Sequence, residues 1–426
     1  MLNRTEAPAF KEIENIILPE PMGVILDNNI MLYVINQGTQ DLVKIEFIFN
    51  AGKWNEPSNG IASATNSLLT EGTRHHTGKE IAEKIDYYGA FIETDINGDN
   101  GSLVIYSLTK HLESILPLIK EILAEATFPE NELRIYAQNQ QQKLIINNGK
   151  VDYLARKHFN EQLYGFAHPY GRYINPEEYD HLKTEDIRHF FNQYYKTEDC
   201  KIIVSGKVDD KITKLINHYF GFNDWNKTED FGQKSFNAHP SEEKQRFIRK
   251  EGAVQSAIRI GKRMFTRRHP DYIPMQILNT LLGGYFGSRL MANIREDKGY
   301  TYGIGSAIGS HQHEGYFLIA TEVGVKVCNQ ALEEIYKELE ILKNDPVGKE
   351  ELMVVKNYML GSFLRGIDGP FEQSEKLKNV LLHGLDNSYY QKYIHTIKEI
   401  TSLQLQELAN KYLQRESFYE LVAGER

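Results

Sequence analysis

The sequence predicts an α+β protein built from two similarly folded halves, each a mainly antiparallel sheet with helices packed on one face. Strand-like runs and hairpin signals alternate with helical periodicity in an order that runs once before residue 222 and again after residue 245. Matching residues recur at nearly constant offsets: Thr184 and Tyr195 with Thr401 and Tyr412 at 217, Glu132-Leu133 with Glu351-Leu352 at 219, and Gly89 with Gly299 at 210. Offsets that drift by only a few residues describe a duplicated unit far longer than any solenoid repeat. Between the copies, residues 223–244 lose periodicity and become polar and charged around Pro240, as a linker does. The expected organisation is therefore a first half at 1–222, a linker at 223–244 and a second half at 245–426.

In the first half, turn chemistry at Asp27-Asn28-Asn29 precedes strand-like runs at Ile30–Ile35 and Leu42–Asn50, both rich in β-branched and aromatic residues, with Gly52 closing the second. A helix holding Ser63 and Ser67 follows Pro57. Thr77 with Glu80 three residues on forms a capping-box pattern for the next helix, which ends at Gly89. Phe91–Asp95 and Leu103–Leu108 read as a hairpin around Asn97-Gly98-Asp99-Asn100-Gly101, a cluster suited to positive φ. That cluster is not a calcium loop of the EF-hand kind, because its sixth position is Asn100 and its twelfth is Tyr106. Helical periodicity returns over His111–Ala126 and Glu130–Asn147. Leu163–Gly165 and His168–Arg172 read as loop, Thr184–Tyr195 as helix and Lys201–Ser205 as strand.

The second half repeats this with strands near Phe247–Gly252 and Gln255–Lys262, helices at Pro270–Leu282 and Gly287–Asp297, a hairpin over Tyr300–Glu322 and helices from Val327 onward. Two histidine pairs stand out. His75-His76 are adjacent and cannot both face one ion from a helix, so a surface turn is expected. His311 and His313 share a strand face but lie at the hairpin tip, where solvated polar residues are common.

At 426 residues, with 41% hydrophobic and 25% charged content, the chain has enough apolar material for a core in each half. A net charge of −9 argues against a nucleic-acid surface. The two cysteines, Cys200 and Cys328, fall in different halves and indicate neither a disulfide framework nor a metal site. The first residues carry no apolar signal core and no run is long enough to span a bilayer, so a cytoplasmic setting with no membrane partner is expected.

Several segments, in order, carry a resemblance: Ala51-Gly52 after the first strand pair, the block from Gly60 to Gly89, Phe128-Pro129-Glu130, Leu163 to Arg172, Ser205-Gly206, and Gly287-Ser288-Arg289-Leu290 through Tyr302. Together they resemble the pitrilysin/insulinase family of inverzincin metallopeptidases over nearly the whole chain. In the matching register the family's zinc motif H-x-x-E-H falls on Ser63, Asn66 and Ser67, and its later glutamate ligand falls within Gln140–Lys143, at Lys143. Serine hydroxyls are poor zinc ligands, an amide is no general base, and a lysine puts a cation where a cation was to be held. The flanking Gly60, Leu69 and Gly72-Thr73 are kept. No catalytic residue and no metal site of its own are expected.

A second segment, Arg295 to Tyr302, is similar to the family's Arg/Tyr pair that contacts substrate backbone beside the zinc. A permanent multi-donor cation and a phenol are suited to holding a peptide carbonyl and the oxyanion that develops on it. Read without the resemblance, Arg295 belongs to a charged helix end with Glu296, Asp297 and Lys298, and Tyr302 to a plain strand. With it, the chain is similar to the non-catalytic subunit of the two-chain processing peptidases. The resemblance then implies a heterodimer with a homologous H-x-x-E-H subunit that carries the zinc, the two closing like a clam around an unfolded peptide. Two alternatives stand beside this: an inactive member serving as a structural or peptide-binding scaffold, and a self-sufficient zinc protease with displaced ligands.

Overall fold

The computed structural model describes residues 16, 18–222, 225 and 234–425. The first half runs β1 (Met22–Ile25), β2 (Met31–Asn36), β3 (Leu42–Phe49), α1 (Ile61–Ser67), α2 (Gly78–Tyr87), β4 (Phe91–Ile96), β5 (Gly101–Leu108), α3 (Leu112–Glu125), α4 (Glu130–Asn148), α5 (Val151–Tyr164), α6 (Thr184–Tyr194), β6 (Lys201–Gly206) and α7 (Asp210–Phe220). The second runs β7 (Gln245–Arg249), β8 (Gln255–Met264), α8 (Tyr272–Asn279), β9 (Thr301–Ser310), β10 (Gly315–Gly324), α9 (Cys328–Asn344), α10 (Lys349–Arg365), α11 (Pro370–Leu381), α12 (Ser388–Glu399), α13 (Ser402–Tyr412) and β11 (Tyr419–Gly424). Between α8 and β9 the chain forms two π-helical segments, Thr280–Gly284 and Met291–Asp297, where the periodicity predicts plain α-helix.

The two sheets share one topology. The first is ordered β1-β2-β6-β3-β5-β4 and the second β7-β11-β8-β10-β9, so that β7, β11, β8, β10 and β9 stand where β2, β6, β3, β5 and β4 stand. In each, the parallel pair is the corresponding one, β2 with β6 and β7 with β11, and the other pairings are antiparallel. Gly89 and Gly299 enter β4 and β9 with φ of 59° and 64°, a left-handed step that favours glycine.

Alternation along the central strands builds two faces. In β3, Val43, Ile45, Phe47 and Phe49 join the core beneath α1, α3, α6 and α7, whereas Lys44, Glu46 and Ile48 face the other way. That second face is covered by α11 of the opposite half, with Leu377 and Val380 packed on Ile35, Ile48 and Ile203. The exchange is reciprocal: α5 of the first half packs on β8 and β11, placing Ala155, Phe159 and Leu163 against Ala257, Leu421 and Ala423. Sequence reading gives helices on one face only and leaves α5 unassigned, with Leu163 and Tyr164 in a loop; both belong to the last turn of α5. Cys200 and Cys328 are each buried, in different cores.

Of the expected linker, residues 223, 224 and 226–233 lie outside the described residues. Trp225 is buried in the first core, edge-on to Phe49 and Phe220. Further on, the backbone is strapped to α5: the His239 and Ser241 amides donate to the Tyr164 and Gln162 carbonyls at 2.9 Å each.

The β9–β10 hairpin tip departs from the solvated tip that its position predicts. It docks on the Asn97–Gly101 turn of the other half, where Gln312 donates its amide to Asp99 Oδ2 at 2.9 Å and its side chain to Asn100 at 2.8 Å. His313 stacks on Trp54 with ring centroids 3.8 Å apart, and His311 stacks on Tyr170 at 4.1 Å. Beneath them His168 is buried, its Nδ1 accepting the Tyr170 amide and its Nε2 having no hydrogen-bond partner. His76 is likewise engaged, 2.9 Å from Glu121.

Burial, with help from the positive charge of Arg263 and the nearby His311 and His313, lowers the His168 pKa to about 4. Its folded pKa lies below the unfolded value of about 6.5, so the unfolded chain binds the extra proton between those values. The stabilisation from a neutral His168 is present above about pH 6.5 and is lost as pH falls toward 4, a swing of about 3 kcal/mol. Urea unfolding from pH 7 to pH 4 is expected to show this slope in the native protein and a reduced slope in His168→Gln.

Candidate functional site

Helix α1 is fixed at its start by a buried carboxylate. Glu56 accepts the Ala62 amide at 3.1 Å and lies 3.3 Å from Arg172, while burial pushes its pKa above the ordinary carboxylate range. Gly60 caps the helix at φ 90°, and a Cβ there would stand 2.7 Å from Ile174 Cδ1. The one-turn spacing puts Ser63, half-buried, and Ser67, exposed, on one side of α1. Ser67 faces the Tyr136 side chain of α4.

Asn66 is 1% exposed, and its amide donates to the Ser102 carbonyl at 3.2 Å and to the Tyr195 hydroxyl at 3.0 Å. It is a tie between α1, β5 and the end of α6. Lys143 is exposed on α4, about 10 Å along the helix from Tyr136. These residues do not fit a zinc ion: two alcohols, a committed amide and a lysine ammonium offer no anionic or imidazole donor set. Among the described residues no group of three or more His, Cys, Asp or Glu side chains is placed to hold a metal.

The corresponding surface of the second half presents different chemistry. The π-helical segment Met291–Asp297 packs on β9, and the Tyr300 amide returns to the Ile294 carbonyl at 3.0 Å as the chain turns through Gly299 into the strand. Arg295 does not pair with its acidic neighbours Glu296 and Asp297; its guanidinium lies 4.8 Å above the Phe286 ring, which is itself exposed. Tyr302, on β9 at the sheet edge, is 90% exposed. The pairing of β9 with β10 is irregular between Thr321 and Val323, a bulge that re-aims the start of the strand carrying Tyr302.

Tyr302 lines a cavity of about 350 Å³ with Asp152, Arg259, Thr301 and Glu322. Arg259 is buried and ion-paired with Asp152 from the exchanged helix α5. Sequence reading singles out Arg295 and Tyr302 but misses Phe286 and the Arg259–Asp152 pair. An exposed phenylalanine beside Gly287 is the one local signal for the former. The latter joins residues more than a hundred positions apart and has no local signal.

Two mixed sheets related by internal duplication, each sealed by a helix from the other half, define a clam-like two-domain fold. Residues 32–170 match the model for the insulinase family, peptidase family M16, and residues 181–359 match that for the peptidase M16 inactive domain. The chain belongs to the M16 peptidase family. It is 25% identical over 362 residues to the uncharacterized zinc protease YmxG of Bacillus subtilis, covering 84% of this chain and 87% of that one. It is 26% identical over 216 residues to the probable inactive metalloprotease YmfF of the same organism, covering 49% of each. The solved structure of a peptidase M16 inactive domain from Pseudomonas fluorescens superposes with a TM-score of 0.87 at 21% identity, covering 95% of this chain and 98% of that one. The sequence of this family member contains no H-x-x-E-H motif.

Because Asn66 serves the core, Asn66→Ala is expected to lower stability by about 2 kcal/mol, through the unsatisfied Ser102 carbonyl and Tyr195 hydroxyl. Urea denaturation measures that loss, and metal analysis of the purified protein by mass spectrometry is expected to find no stoichiometric zinc.

Proposed function

We propose that this chain is the non-catalytic, substrate-positioning subunit of a two-chain zinc peptidase. A homologous chain bearing H-x-x-E-H supplies the metal and the hydrolysis. The supporting observation is the placement of the two donors: Tyr302 is 90% exposed on the β9 edge and Arg295 is half-buried beside the exposed Phe286, while the positions that the resemblance assigns to the zinc site hold Ser63, Asn66, Ser67 and Lys143.

In this reading an unfolded peptide lies extended along the open edge of β9, whose outer backbone groups have no strand partner among the described residues. Arg295 and Tyr302 hold a peptide carbonyl, donating to an oxygen that becomes more negative as the partner's zinc-bound water attacks. The proposed setting is the cytoplasm, where Cys200 and Cys328 stay as thiols. Among the described residues, no helix is long and apolar enough to cross a membrane.

The test mixes this chain with the H-x-x-E-H relative from the same genome and follows cleavage of a fluorogenic unfolded peptide. The mixture is expected to cleave and each chain alone to be slow. Arg295→Ala or Tyr302→Phe is expected to lower the rate of the mixture about 100-fold, with heterodimer formation unchanged. Unchanged rates in both variants would remove the positioning role. A mixture that forms a complex but never cleaves favours the scaffold reading, in which the clam fold serves assembly.

A further inference from the structure

Helices α8, α10, α11 and α12 line an open cavity of about 270 Å³ whose wall contains neither Arg295 nor Tyr302. Two cations enter it, Arg267 from the loop after β8 and Lys376 from α11, and no aspartate or glutamate lines it. The Arg267 guanidinium lies 5.9 Å from the Tyr389 ring centroid, and its Nε is buried without a hydrogen-bond partner. The Lys376 ammonium lies 5.4 Å from the Phe363 ring centroid. Burial first, and the adjacent Arg267 charge second, hold the Lys376 pKa below the ordinary lysine range. The Gln276 side-chain Oε1, in the same wall, is also buried and unpartnered.

Two like charges in a half-buried pocket repel each other and lose hydration, a cost that an anion between them reverses. The guanidinium fork and the ammonium point charge suit the oxygens of a phosphoryl group. A pair of cations with no competing carboxylate matches a dianion better than a monoanion. Tyr358, Tyr389 and Tyr393 supply flat aromatic walls around the remaining space. The volume lies at the small end of ligand sites, room for about one ring beyond the phosphoryl group.

We propose that this cavity is a binding site for a small phosphate monoester, its phosphoryl dianion held between Arg267 and Lys376 and its organic part against the tyrosines.

Phenyl phosphate and inorganic phosphate are the probes, followed by calorimetry and thermal unfolding of the whole chain, with benzoate as a monoanionic control of similar shape. Phenyl phosphate is expected to bind saturably and raise Tm, benzoate to bind about tenfold or more weakly, and Arg267→Gln and Lys376→Gln each to weaken phenyl phosphate about tenfold or more. Without ligand, Lys376→Gln is expected to melt no lower than the native protein, since it relieves the repulsion. A measurement independent of variants is reductive methylation of the native chain read by peptide mass spectrometry, in which phenyl phosphate is expected to protect Lys376. Absence of saturable binding, equal affinity in the variants, or no protection of Lys376 would overturn the proposal. Preference for inorganic phosphate over the ester would assign the site to the free anion and overturn the ester.

Discussion

The helix exchange between the halves is the constraint on which the rest depends. Each sheet has one face covered by helices of its own half and a second face covered by one helix of the other: α11 on β2 and β6, α5 on β8 and β11. Under both exchanged helices lie buried charges. Lys44 and Glu46 of β3 meet Glu375 and Lys378 of α11, with Glu46 2.9 Å from Lys378, and Arg259 of β8 meets Asp152 of α5. Such pairs add little net stability, but separating the halves would leave Lys44 and Glu46 with only each other, Arg259 without Asp152, and Ile35, Ile48 and Ile203 exposed. The halves are therefore one cooperative structure, and the hairpin tip docked on Asp99 and Asn100 adds a third contact between them.

Duplication gave both halves the same scaffold, and their surfaces have since been put to different use. In the first, the helix with zinc-motif spacing has become a structural tie: Asn66 joins β5 and α6, and Ser67 meets Tyr136. In the second, the chain around the sheet edge leaves its helical path twice, through rare π segments, and between them projects Phe286 and then Arg295 and Tyr302. Irregular backbone of this kind costs stability and concentrates where a surface contacts a ligand.

Much of the first half is legible in sequence because its signals are local. The Thr77/Glu80 capping box forms as predicted, with both reciprocal bonds present. The Asn97 side chain accepts the Asp99 and Asn100 amides at 2.8 and 2.9 Å, making the turn read from that cluster. Helix α7 is absent from the expected elements although Ile212, Ile216 and Phe220 recur every four residues after an Asp209 cap, a signature the sequence does carry. Helix α5 is a different case. Its buried Ala155, Phe159 and Leu163 are interleaved with Asp152, Arg156, Lys157 and His158, and the surface that rewards this mixture is a charged sheet face about a hundred residues away.

By itself, then, the sequence carried the duplication and most of the order of strands and helices, because periodicity, caps and turn signals act over a few turns of chain, while Arg295 and Tyr302 are singled out by the family resemblance. Tertiary structure decided which half each helix serves, that Asn66 faces the core, that His311 and His313 stack on Tyr170 and Trp54, and that Arg267 and Lys376 share a cavity without a carboxylate. Those outcomes turn on burial and on charges brought together from distant segments. Neither quantity exists until the chain has closed on itself.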